Sequence, residues 1–139
     1  MVNEIDKFAI GIGAVSLKEK LNTTKHAPLF KRNNYFNLDG TFLIIKISRS
    51  ERPFWGLGQD FLEFFNLLTE NAKPYYFVAL TSEKEGWFLS KQELINQISD
   101  GSLSYSPNSK QYKINPYNLN DQCSFTSPQI FLAKIEAER

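Results

Sequence analysis

Lys46 stands in Thr41–Ser48 (TFLIIKIS), a run otherwise fit for a core strand. An unpaired buried charge is costly, so this lysine must be paired, hydrated or functional. Arg49, Arg52, Pro53, Phe54 and Trp55 follow directly. Two guanidinium groups beside two aromatic rings admit three uses. They clamp a phosphate backbone while a ring stacks on a base. Or the rings tuck under a sheet with solvated arginines above. Or Phe54 and Trp55 anchor another protein, since Trp and Arg are enriched at binding hot spots.

Other chemistry is thinly supplied. The chain holds one histidine, His26, and one cysteine, Cys123, so a Cys–His or Ser–His arrangement would have to use His26, which sits in a polar stretch. There is no CxxC, HExxH or EF-hand pattern for a structural metal. Gly11-Ile12-Gly13 lacks the preceding strand and third glycine of a dinucleotide loop and reads as close helix packing.

Composition sets the bounds. A length of 139 residues suits one domain across 1–139, and 42% hydrophobic with 22% charged residues is ordinary globular composition. The net charge of +1 predicts no strong polyanion field. Residues 1–55, however, hold nine Lys/Arg against five Asp/Glu, and the remainder holds seven against ten. That asymmetry is compatible with one basic face. A lone cysteine points to a reducing cytoplasm. The acidic N-terminus is unlike a signal peptide, and the longest apolar run, Tyr75 to Leu80, is too short for a membrane span.

Periodicity places these residues on elements. Ile5, Phe8, Ala9, Ile12 and Val15 predict a helix over Asn3–Asn22. Leu29-Phe30 leads into a strand at Tyr35–Leu38, joined to Thr41–Ser48 by the hairpin signal Asp39-Gly40. In the second strand Leu43, Ile45 and Ile47 share one face. Phe42, Ile44, Lys46 and Ser48 share the other, which opens towards something polar. Gly58–Glu70 reads as an amphipathic helix with Phe61, Leu62, Phe65 and Leu68 on its stripe. Tyr75–Ser82 and Trp87–Leu89 predict paired strands across the turn Glu83-Lys84-Glu85-Gly86. Ser90-Lys91-Gln92-Glu93 is a capping box for a helix ending near Asp100-Gly101. A polar, turn-rich stretch follows, with a strand at Gln111–Asn115 and Tyr105, Tyr112 and Tyr117 packing the loops down. Ser127-Pro128 opens a last helix. The predicted class is α+β, an α/β sandwich with a central mixed sheet of about five strands flanked by helices.

Across residues 30–90 this order resembles the PD-(D/E)XK nuclease superfamily, which implies a restriction-endonuclease-like fold. In that family acids bind divalent ions and a lysine positions the attacking water, for metal-assisted phosphodiester hydrolysis. The resemblance implies Asp39 as the first acid and Lys46 as the lysine. Ile44 occupies the place of the second acid, so Asp60 or Glu63 on the following helix would substitute, with Glu4 a further acid. The implied sites are Asp39, Lys46 and Glu63 for catalysis, and Asp39 and Asp60 for Mg2+. Plain turn chemistry at Asp39 and a snorkelling lysine at Lys46 account for the same residues.

Two functions follow. One is a DNA- or RNA-binding domain that uses Lys31, Arg32, Lys46, Arg49, Arg52 and Trp55, active as an endonuclease only where acids converge on Lys46. The other is a non-enzymatic module, a small subunit, inhibitor or homodimer, docking through Phe54–Leu57.

Overall fold

The structure, a computed structural model, describes residues 3–17, 35–59 and 75–138. Helix α1 (Glu4–Ile12) starts where the Asn3 side chain accepts the Asp6 N–H at 2.8 Å. Glu4 and Asp6 lie in its first turn, where the helix dipole favours acids. It stops at Gly13, which takes the left-handed conformation at φ 77°. The helix is therefore nine residues long, shorter than the predicted Asn3–Asn22. Val15 does not continue its stripe. It belongs to a short strand, β1 (Val15–Ser16), and is 67% exposed.

Strands β2 (Tyr35–Leu38) and β3 (Thr41–Ile47) form the predicted hairpin. Asp39 and Gly40 both take positive φ in the turn, at 48° and 90°. The Asn37 side chain accepts the Gly40 N–H at 2.9 Å. The main sheet has six strands in the order β1-β2-β3-β5-β6-β9. It contains β5 (Tyr75–Leu80), β6 (Gly86–Ser90) and β9 (Ser124–Phe125). Among the described residues only the β3–β5 pair is parallel, so the sheet is mixed, as predicted, with one described strand more than expected. β5 lies mid-sheet with every residue buried, which its unbroken run YYFVAL requires. A Cβ at Gly86 would lie 2.2 Å from the Ala79 carbonyl oxygen, so only glycine lets β6 approach β5 there.

A second sheet has the order β4-β8-β7, from β4 (Trp55–Gly58), β7 (Ser104–Ser106) and β8 (Gln111–Ile114). Trp55–Gly58 is thus a strand, not the end of a loop leading into a helix through its glycines. Gln59, directly after the strand, is helical, one residue later than the predicted start; the rest of the helix read over Gly58–Glu70, and the strand start at Leu29-Phe30, lie outside the described residues. Helix α2 (Lys91–Ser99) carries the predicted capping box: Ser90 Oγ accepts the Glu93 N–H at 3.2 Å, and Glu93 accepts the Ser90 N–H at 3.4 Å. Helix α3 (Pro128–Glu138) starts where the sequence predicts.

Two cores follow from strand alternation. Leu43 and Ile45 share one face with Tyr76, Val78 and Leu80, covered by α1 (Phe8, Ile12) and α3 (Phe131, Ile135). Ile44 shares the opposite face with Tyr75, Phe77 and Ala79, covered by Leu94 of α2 and by Trp55, Leu57 and Ile114 of the small sheet. The fold is α+β: helices on one face of the main sheet, a helix and a small sheet on the other. Among the described residues no helix is long and apolar enough to cross a membrane.

Candidate functional site

The loop between β3 and β4 is held at both ends by one carbonyl. Where the chain leaves β3, the Ser48 N–H donates to the Leu80 oxygen at 3.0 Å. Where it enters β4, the Trp55 indole Nε1–H donates to the same oxygen at 3.0 Å. A carbonyl has two lone pairs, so both bonds are satisfied together. Trp55 is 1% exposed and meets Trp87 edge-on, with ring centroids 6.0 Å apart. It is therefore a core anchor and not the surface ring expected to stack on a base. Leu57, two residues on, is buried on the same face.

With its ends fixed, the loop presents Arg49, Glu51, Arg52 and Phe54 outward, all exposed. Arg49 forms an ion pair with Glu4 of α1. The Arg52 N–H donates to Ser50 Oγ at 3.2 Å. Phe54 is 47% exposed, and Lys113 Nζ of β8 stands 5.4 Å from its ring centroid. Lys113 is opposite Gly56 in the β4–β8 register, which carries its side chain to the outer face beside Phe54.

Lys46 is half-buried and in register with Ala79, which in turn faces Trp87. Alternation puts it on the face of Ile44 and the small sheet. Asp39 is elsewhere. It is exposed in the β2–β3 turn, and the five steps from Thr41 to Lys46 alone span about 16 Å of strand. The sequence motif therefore separates its acid and lysine to opposite ends of β3. Glu4, the further acid, is engaged by Arg49. Asp60, Glu63, Lys31, Arg32 and His26 lie outside the described residues. Of the acids assigned to Mg2+, one is thus remote from Lys46 and the other undescribed. The described residues do not assemble that site.

The tyrosines divide. Tyr105 and Tyr112 pair with centroids 5.0 Å apart, and the Tyr105 hydroxyl donates to Gln59 Oε1 at 2.5 Å, so these two fasten β7 and β8 as predicted. Tyr117 is 75% exposed and does not pack the loop down. Glu93, Cys123 and Glu138 bring their ligand atoms within 4.8 Å of one another. Burial, then the Glu93 and Glu138 carboxylates, push the Cys123 thiol up to about 11, against the opposing charge of Lys134. It stays protonated at neutral pH.

Sequence reasoning missed Lys113. Alternation in Gln111–Ile114, with Ile114 inward, places Lys113 outward, but its meeting with Phe54 depends on the non-local β4–β8 pairing.

No family model matches the chain, and no curated protein matches it in sequence. Among solved structures it is similar to Hjc, a Holliday junction resolvase from Archaeoglobus fulgidus, at 16% identity and a TM-score of 0.36. The likeness covers 61% of this chain and 62% of the resolvase chain, less than two thirds of its length. Similarity at this level assigns neither a family nor a site.

Proposed function

We propose that this chain binds nucleic acid, without catalysis by the described residues, through the β3–β4 loop and the adjoining edge of β8. The observation that carries the reading is the contact of Lys113 with exposed Phe54, two residues after exposed Arg52, on a loop pinned by buried Trp55. An ammonium against the aromatic ring, with a guanidinium two residues before that ring in the chain, supplies charge and a stacking surface together. Arg49, on the same loop, is drawn to Glu4 of α1 by its ion pair. Glu51 is the opposing charge on the loop.

The docking module is less well supported. Its apolar anchor was Phe54–Leu57, and burial of Trp55 and Leu57 leaves Phe54 alone at the surface.

The test is fluorescence anisotropy with labelled DNA and RNA over a salt series. Affinity should fall linearly in log–log form with salt, by roughly 0.7–0.9 per phosphate contacted. Absence of salt-dependent binding to either polymer would overturn the reading.

A further inference from the structure

We infer that the nucleic acid taken up is single-stranded and that it lies along the outer face of the small sheet, with a base on Phe54. The inference rests on the nucleic-acid reading above and adds its substrate class. Register and alternation define the face. Trp55, Leu57 and Ile114 point inward, so Gly56 and Gly58 of β4, Gln111 and Lys113 of β8, and Ser104 and Ser106 of β7 face out. Gln111 lies across Gly56, where a Cβ would come within 2.4 Å of its Oε1. The strip is therefore floored by the Gln111 amide over Gly56 and edged by Lys113, which puts polar groups and a cation along its surface. Phe54 stands at one end of it and Lys110, exposed in the β7–β8 turn, at the other.

The chemistry of this strip suits a strand whose bases are open. In a duplex the base faces are stacked on one another, so a surface phenyl ring gains nothing short of intercalation. A single strand offers base faces, and stacking on an aromatic side chain is tolerant of sequence. Lys113 does not block this. An exposed cation–π contact is weaker than base stacking, so a base displaces the ammonium from the ring and leaves it beside the flanking phosphate. Charge points the same way. Arg52, Lys110 and Lys113 stand against one carboxylate, Glu51, across the loop and small sheet, while Arg49 is held by Glu4 of α1.

The experiment compares a labelled single strand of about 12 nucleotides, within the roughly 4–16 nucleotides such surfaces occupy, with its blunt duplex. Each is titrated at low salt with wild type, Phe54→Ala and Phe54→Trp, after circular dichroism confirms that the variants are folded. The single strand should bind at least about tenfold tighter than the duplex, and Phe54→Ala should lose about tenfold on the single strand alone. Phe54→Trp should retain the affinity. Equal binding of both forms, or an equal loss on both in Phe54→Ala, overturns the single-strand assignment and leaves nucleic-acid binding standing. No binding to either overturns both.

Discussion

Replacing Trp55 by Phe tests the clamp that holds the β3–β4 loop. The indole is 1% exposed, and its N–H reaches the Leu80 carbonyl at 3.0 Å. Loss of this bond costs about 1 kcal/mol, and not the larger penalty of an orphaned acceptor, because the Ser48 N–H still satisfies that oxygen. Exchanging the bicyclic indole for the smaller phenyl leaves a void of roughly 40 Å³, worth about 1 kcal/mol at ~24 cal/mol per Å³. The edge contact with Trp87 is weakened as well, by up to about 1 kcal/mol. The sum is about 2–3 kcal/mol. Urea unfolding should therefore show a lower midpoint at an unchanged slope. Hydrogen exchange should show the Ser48 amide less protected, and nucleic-acid affinity should fall because the loop ends are loosened. A variant within about 0.5 kcal/mol of wild type, the range of an ordinary surface change, would refute the clamp.

Other outcomes follow from single contacts. Glu4→Gln frees Arg49 from an exposed ion pair, so nucleic-acid affinity should rise about two- to threefold while stability drops by less than about 1 kcal/mol; unchanged affinity in a binding titration would exclude Arg49 from the site. The Cys123 thiol, raised in the native state to about 11, ionises near 8.5 when unfolded, so the native state binds the extra proton. Its contribution is complete below about pH 8.5 and is lost as pH rises towards 11, so wild type should lose more stability over that interval than Cys123→Ala in urea titrations. Gly86→Ala forces a methyl against the Ala79 carbonyl and should destabilise by about 3 kcal/mol, read as a lowered urea midpoint.

Local chemistry made much of this fold legible. Asp39-Gly40 marked the β2–β3 hairpin because few other pairs accept two positive φ angles. Ser90 and Glu93 marked the start of α2 through a reciprocal pair of bonds. The run Tyr75–Leu80 marked a strand buried on both faces. What was hidden depended on distant partners. WGLG resembles a loop by composition, and becomes a strand only because Gln111–Ile114 pairs with it from more than fifty residues away. That pairing turns Trp55 inward, which reverses its expected role, and carries Lys113 to Phe54. Gly13 ended α1 before Val15 could extend it.

The candidate site shows the same division. Arg49 and Arg52 were readable from their spacing beside Phe54. Asp39 and Lys46 were misleading, since nearness in a motif becomes distance along an extended strand. In this chain the better guide to function is the loop that the strand leads into.

The central claim is that Arg52 and Lys113 contact phosphates, and the double variant Arg52→Ala/Lys113→Ala tests it most directly. Binding to a single-stranded oligonucleotide should be measured across a salt series for the variant and the wild type. Loss of two phosphate contacts should make the log–log salt slope shallower by about 1.4. A folded variant whose slope equals that of wild type would contradict the account.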